Sequence, residues 1–328
     1  MRLEMLQVAR LAPRILGDSA DLVRDFLRRQ QNEDGGFKDR SGQSDLYYTV
    51  FGIDALVALQ ADLPVERIAG FLRRFDDGEQ LDLVHLCCLA RCRGALAAAQ
   101  GKLPGSSISS PPSQLLQRIE AFRSRDGGYN PAPRSEFGTA YACFLALGAY
   151  QDLHTAMPEP LRVVHCLKFL ETDDGAWTNE RAEHRTGGTG DKWQVASGKG
   201  RPGFATGAVG VLPDAGSTNA TAAAATLLRN LGMPVNPAAG AWLLARSHPQ
   251  GGFLAAPKAP LADLLSTATA LHALAGMEVS FQHLKEQCLD FVDSLWTNEG
   301  SFHGHWSDDA LDCEYTFYGL LALGHLSL

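Results

Sequence analysis

The sequence holds no long apolar run and no cluster of basic residues. Lacking the first, no segment reads as a membrane span. Lacking the second, and with a net charge of −8, the chain offers no surface suited to nucleic acid or an anionic membrane. The opening stretch, MRLEMLQVARLAPRILGDSADL, carries charges throughout and has no apolar core, so no signal peptide is expected. Cysteine is sparse and odd in number: Cys87, Cys88, Cys92, Cys143, Cys166, Cys288 and Cys313. All sit in helical-looking stretches, which excludes a disulfide scaffold and fits a reducing, cytoplasmic setting. What remains is ordinary globular composition, 45% hydrophobic and 20% charged, enough for a sizeable core.

Length alone, at 328 residues, would admit two domains, but an internal repeat decides otherwise. A polar phrase ending in glycine and an aromatic recurs: QQNEDGGF to Phe37, RSRDGGY to Tyr129, ETDDGAW to Trp177, HPQGGF to Phe253 and WTNEGSF to Phe302, with a degenerate copy at Gly78. The leading glycines, Gly35, Gly78, Gly127, Gly175, Gly251 and Gly300, step by 43, 49, 48, 76 and 49. The long step contains a glycine-rich insertion at about 181–210. The six copies fill residues 1–328 as one domain.

A second segment follows each phrase. DLYYTVFGIDAL (45–56), DLLSTATALHAL (263–274) and DCEYTFYGLLAL (312–323) align without gaps, each opening on Asp and reaching Ala-Leu ten and eleven residues later. Such all-round apolar segments require enclosure, whereas the helices before them, such as DLVRDFLRRQQ, have charged faces. Inner helices are therefore expected at 45–59, 82–98, 136–150, 216–231, 262–276 and 312–326, with Glu136 opening the third, and each outer helix should end on its glycine. The last repeat finishes on GLLALGHLSL, with no polar cap. An open solenoid needs such caps, so the expected fold is all-α, a closed α/α toroid (α6-α6 barrel) of six helix hairpins.

D-G-G-F followed by D-x-x-Y/H-T and an apolar helix resembles the repeat of the protein prenyltransferase β-subunits and squalene cyclases, the former more than the latter. The resemblance implies a central cavity for an isoprenoid or isoprenoid diphosphate. On the transferase side it also implies a zinc ion and a helical α-type partner subunit. The family's D-x-C-Y-[ST] zinc motif corresponds to Asp312-Cys313-Glu314-Tyr315-Thr316, where Cys313 stands one position early, a rotation of about 100°. The family's D-x-[YF]-H-T has Tyr48 in place of His at Asp45-Leu46-Tyr47-Tyr48-Thr49, while His85 keeps that offset from Asp82. No Lys or Arg occupies 303–309, where the family's diphosphate cations lie.

By this resemblance Asp312 is the catalytic carboxylate and Asp312, Cys313, Glu314, His303 and His305 are metal candidates, with His85 another source for the third ligand. Glu314 in place of a thiolate shifts the preference toward harder cations. Tyr48, Phe51, Tyr315, Tyr318 and Asp45 are expected at the substrate. The cyclases imply instead that Asp312 acts as an acid, since Asp312-Cys313-Glu314 looks like a truncated D-C-T-A-E. Glu171-Thr172-Asp173-Asp174 mimics the cyclase D-x-D-D but falls on an outer turn. A non-catalytic binding scaffold is the third reading.

Plainer roles compete at each position. Asp45, Asp82, Asp263 and Asp312 are placed to cap helices. Cys87, Cys88, Cys92 and His272 fit core packing. Arg185, Lys192, Lys199 and Arg201 in the insertion fit either a surface loop or cations folded over the cavity mouth.

Overall fold

A computed structural model describes residues 1–101, 112–181 and 216–328. Arg185, Lys192, Lys199, Arg201 and the rest of the insertion beyond Arg181 lie outside the described residues. Helix α1 (Arg2–Ala9) and a short α2 (Pro13–Leu16) precede the repeats. The outer helices are α3 (Ser19–Arg29), α5 (Val65–Leu72), α7 (Pro112–Glu120), α9 (Pro160–Lys168), α11 (Ala238–Leu244) and α13 (Lys285–Ser294). The inner ones are α4 (Leu46–Ala58), α6 (Leu83–Ala99), α8 (Ala140–Asp152), α10 (Thr218–Asn230), α12 (Leu264–Gly276) and α14 (Cys313–Leu326). Each inner helix packs on the next, and α14 packs back on α4. That contact closes the ring, and the fold is the expected α/α toroid.

A recurring Asp, joined in three repeats by a Thr, holds the corner of the repeat. Asp45, Asp82, Asp263 and Asp312 are N-caps whose carboxylates accept backbone N–H groups of the first helical turn. Four residues on, Thr49, Thr267 and Thr316 donate their hydroxyls to the backbone carbonyls of Asp45, Asp263 and Asp312. The same Oγ1 accepts the N–H of the phrase's aromatic residue, from Phe37 to Thr49 and from Phe253 to Thr267, both at 2.9 Å. Phe37, Tyr129, Trp177, Phe253 and Phe302 are fully buried between the layers.

Two expectations need correction. Glu136 does not open the third inner helix. Thr139 caps it, accepting the Ala142 N–H at 3.1 Å, and Glu136 pairs with Arg125. The phrase glycines are not helix C-caps either. Helix α3 ends at Arg29, and Gly35 lies beyond it in a tight turn closed by Asn32 N–H to the Gly36 carbonyl. Between Phe37–Lys38 (β1) and Ser44–Asp45 (β2) a two-residue ribbon follows, repeated as Phe253–Leu254 (β3) with Ala262–Asp263 (β4). A third joins Trp296–Thr297 (β5) to Ser301–Phe302 (β6). Gly300 (φ +88°) shows why this position excludes side chains: a Cβ there would stand 2.2 Å from the carbonyl oxygen of Leu22. Leu22 belongs to α3, so the outer layer also closes, last repeat on first.

Helix α1 seals one end. It packs on α4 and α14, Arg2 reaches Asp54 of α4 at 2.9 Å and Asp152 of α8 at 3.6 Å, and Glu4 lies 3.9 Å from Arg229 of α10. These contacts fall toward the C-terminal ends of the inner helices. The opposite end, where the helices begin, carries the Asp caps and the turns. Among the described residues, no helix is long and apolar enough to cross a membrane.

Candidate active site

The lumen can be located from burial alone. In a closed ring of apolar helices, inner positions should be fully covered, and most are. In five of the six inner helices, and away from their C-terminal ends, those that keep partial exposure gather on one side: Glu314 and Tyr318; Tyr141, Phe144 and Leu145; Asn219 and Ala223; Leu265 and Thr269; Val84, His85 and Arg91. Spacings of three, four and seven are those of a single helix face. Five stripes around one ring describe the wall of an axial space.

At the end where the inner helices begin, Asp312 is 1% exposed and both its oxygens are engaged. Oδ1 accepts the Tyr315 N–H at 2.9 Å, and Oδ2 accepts from Arg40 Nε at 2.8 Å. Arg40 sits in the β1–β2 turn of the first repeat and also donates to Asp308 at 3.1 and 3.3 Å, with its guanidinium 5.5 Å from the Tyr315 ring centre. Burial pushes the Asp312 carboxyl above its usual range, and Arg40 opposes that shift. A second charge cluster lies on the neighbouring repeats, where His85 Nδ1 is 2.8 Å from Asp82 and Nε2 3.4 Å from Asp45. Burial disfavours the imidazolium, but the two carboxylates outweigh it and raise its pKa to about 10.

Glu314, two residues past the Asp312 cap, is the group turned to the lumen. Its Oε1 accepts a 2.6 Å hydrogen bond from the Tyr47 hydroxyl across the α14–α4 junction. Burial raises the Glu314 carboxyl to about 8, the Asp312 charge adds to the shift, and the Tyr47 hydrogen bond opposes it. Burial thus favours the neutral, protonated form of Glu314. Aromatic rings surround it. Tyr47 lies 5.0 Å from Phe51 and 5.6 Å from Tyr48, and Phe51 lies 5.5 Å from Tyr318 and 5.9 Å from Phe317.

The expected metal set is not assembled. Among the described residues, no three His, Cys, Asp or Glu side chains are grouped to hold an ion. Asp312 is committed to Arg40, and Glu314 to Tyr47. Cys313 is fully buried, and burial holds its thiol well above the usual range, far from the thiolate a zinc site requires. His305 Nδ1 accepts the Ser307 N–H at 3.1 Å within its own turn, and His303 Nδ1 is buried without a partner. These commitments do not fit zinc.

Of the expected substrate contacts, Tyr48 and Tyr318 keep partial exposure, Phe51 is buried among the rings, and Asp45 caps α4 and faces His85. Tyr315 is off the stripe, buried under Arg40 and against Gly304. Cys87, Cys88 and Cys92 are core residues. Asp174 accepts from the Trp242 indole at 2.9 Å on the outer layer, so the D-x-D-D lookalike stays away from the lumen. His272 is buried with Nδ1 3.1 Å from His325 Nε2, while its own Nε2 makes no hydrogen bond and lies 4.0 Å from Glu4, so this core histidine is only half satisfied.

With this geometry in place, the comparisons with known proteins are informative. The family model for the prenyltransferase alpha-alpha toroid domain matches residues 6–88 and 220–327. The chain belongs to that family. No curated protein matches the sequence. Among solved structures, the apo type II terpene cyclase MstE from Scytonema is similar at 14% identity and a TM-score of 0.57, covering 95% of this chain and 97% of that one. A variant of the same cyclase in complex with its substrate, geranylgeranyl dihydroxybenzoate, aligns at 16% identity and a TM-score of 0.57, over 96% and 97% of the two chains. A protein from Actinoplanes aligns at 16% identity and a TM-score of 0.51, over 94% and 98%. At these identities the likeness is one of fold.

Proposed function

We propose that this toroid is an isoprenoid-handling enzyme whose chemistry starts with a proton from Glu314. One observation carries the proposal: the Glu314 carboxyl, held by the Tyr47 hydroxyl and pushed toward its neutral form by burial, lies on the lumen stripe beside aromatic rings. The role of general acid thus passes from Asp312 to its neighbour. Asp312 has no free oxygen and acts on Glu314 through its charge.

In the proposed step, the Glu314 O–H bond breaks and the π electrons of an alkene form the new C–H bond, leaving a carbocation and a carboxylate. The Tyr47 hydroxyl, already donating to Oε1, stabilises the carboxylate that remains and strengthens the acid. Ring faces of Tyr318, Tyr48 and Phe51 offset the positive charge in a site of low polarity. A neighbouring alkene closes a ring on the cation. The final cation loses a carbon-bound proton to water, which neutralises the product, and solvent returns a proton to the Glu314 carboxylate.

Prenyl transfer from a diphosphate fits less well. Among the described residues, the end where the inner helices begin carries Asp45, Asp82, Asp308 and Asp312 against Arg40 and His85, and both of those cations are already paired. The likeness to a terpene cyclase fold supports the cyclisation reading without naming a substrate.

The test is incubation of wild type and Glu314→Gln with C15 to C30 isoprenoids in D2O, followed by mass spectrometry. A cyclised product carrying one deuterium at the protonated carbon, absent with the variant, is the expected result. Release of diphosphate with transfer to an acceptor, unaffected by the substitution, would overturn it.

A further inference from the structure

We propose that Asn219 is a positioning residue for the end of the reaction: its carboxamide, steadied by Thr269, holds the water that takes the final proton, two helices along the ring from Glu314. The proposal rests on the cyclisation reading above and adds to it the place where the sequence of cations stops.

The repeat sets the lumen out in layers. The second residues of the inner helices are Tyr47, Val84, Tyr141, Asn219, Leu265 and Glu314, and five of these six keep partial exposure. Tyr47, the sixth, is 8% exposed, and its bond to Glu314 joins two neighbours within that layer. About 6 Å deeper, one turn on, the sixth residues include Phe51, Ala223, Thr269 and Tyr318. Deeper still, the ninth residues bring Asp54, Arg91 and His272 under α1. There Arg91 pairs with Asp54, Arg2 reaches the same carboxylate at 2.9 Å, and Glu4 lies 4.0 Å from His272. That floor is charged and covered, so the two upper layers are the space for the reaction.

Within those layers Asn219 holds polar capacity that the fold does not use. Ser217 already caps α10, so the carboxamide is not needed for capping. The Thr269 hydroxyl lies 2.9 Å from Asn219 Oδ1 and 2.8 Å from the Leu265 carbonyl oxygen. A hydroxyl has one proton, so these two acceptors share it. Asn219 Oδ1 keeps a lone pair to offer, and among the described residues Nδ2 donates to no group. A partly exposed amide in this state binds water. A water that donates to Oδ1 keeps its own lone pairs free to accept a proton.

Placement gives that water its task. Water beside Glu314 would intercept the first cation, but there the wall is Tyr47, Phe51 and Tyr318. Helix α12 lies between α10 and α14, so the charge comes to Asn219 only after ring closure has moved it away from the protonated carbon. The water then removes a proton from the carbon next to the cation. The C–H electrons form the product alkene, the water becomes hydronium, and solvent takes its extra proton.

The test supplies farnesol, geranylgeraniol and squalene in D2O and resolves the products by gas chromatography and mass spectrometry. Asn219→Leu should shift the ratio of alkene isomers by about fivefold, as loss of one hydrogen bond allows, while substrate consumption stays within about threefold of wild type. Deuterium incorporation should not change, because protonation by Glu314 comes first. Thr269→Val, which removes the hydroxyl that steadies the amide, should shift the ratio in the same direction by about twofold. It carries the test if the leucine variant does not fold. Asn219→Asp keeps an acceptor for the water and should restore the wild-type isomer. An unchanged ratio in the leucine and valine variants, or a loss of turnover as large as that of Glu314→Gln, overturns the role of Asn219 and leaves the acid reading intact. Absence of any cyclised product from wild type overturns both.

Discussion

The arc where the last repeat meets the first (α14, α4 and α6) and the arc opposite (α10 and α12) follow one plan but line the same space with different chemistry. Both have a capped corner: Asp312, Asp45 and Asp82 on one side, Ser217 and Asp263 on the other. Both use a threonine clamp, Thr316 and Thr49 against Thr221 and Thr267. Features common to the two arcs therefore belong to the fold. The seam arc alone adds Glu314, Tyr47, His85 and Arg91, whereas the opposite arc presents Asn219, Ala223, Leu265 and Thr269. None of the added groups is needed to cap or clamp a repeat. Side chains with no duty in the repeat are where function should be sought.

The largest effect expected is on turnover. Glu314→Gln should lower it by about 10³-fold, within the span of a removed general acid. Leu265→Ala, on the opposite arc, should change product pattern with less than about tenfold loss of rate. Equal losses from both would erase the distinction between the arcs.

Stability should separate two caps of the same type. Asp312→Asn breaks a buried pairing with Arg40 and should cost about 3 kcal/mol by urea denaturation. Asp263→Asn, which has no comparable partner at its cap, should cost about 1 kcal/mol. Indistinguishable losses would mean that the seam ion pair contributes nothing beyond capping.

A pH titration of stability probes the closed end of the α12–α14 junction. Burial lowers His272 to about 4 and His325 to about 3, the neighbouring imidazole adding to the latter. Both folded values lie below the unfolded one, so the unfolded chain binds more protons, and stability must fall as pH drops below about 6.5. Each histidine contributes about 2 kcal/mol, so the loss should be about 4 kcal/mol by pH 5, and His272→Leu/His325→Leu should flatten the profile. An unchanged slope in the double variant would assign the acid sensitivity elsewhere.

The smallest effect concerns Tyr47. Activity should be flat through neutral pH and fall as pH rises through about 8, where Glu314 loses its proton. Removing the Tyr47 hydroxyl removes a bond that lowers the Glu314 pKa. Tyr47→Phe should therefore move the inflection upward and slow the reaction by about tenfold below it. A downward move, or a loss of rate with no move, would leave Tyr47 a packing residue only.

The ring was legible because its signals are local and repeated. An Asp followed ten residues later by Ala-Leu recurs in register, and inner helices are apolar on every side. Where the local signal weakened, so did the expectation: Glu136 resembled a cap, but Thr139 lay three residues further on. The site was legible only in part. Asp312, Glu314, Tyr48, Phe51 and Tyr318 stood out by resemblance, which also drew Cys313, His303 and His305 into a metal set that the fold does not gather. Tyr47, Arg40, Asp54 and Arg91 were missed. Arg40 is 272 positions from Asp312 and Tyr47 is 267 from Glu314, so no window of sequence joins them. Asp54 and Arg91 did leave a trace, as charges inside largely apolar helices.

Closure of the ring also has a meaning in time. The phenol that grips the acid emerges with the first repeat, and the acid itself with the sixth. During synthesis the intervening repeats can stack on their neighbours as they appear, since their contacts are short in sequence. The seam cannot form in that way. It waits for the final segment, and the loop it closes is among the longest the chain can make. Until then α4 presents an uncovered apolar flank, the kind of surface that chaperones hold and aggregates recruit. Activity should therefore appear as the last event of maturation, and agents that slow seam closure should yield a largely helical but inactive protein.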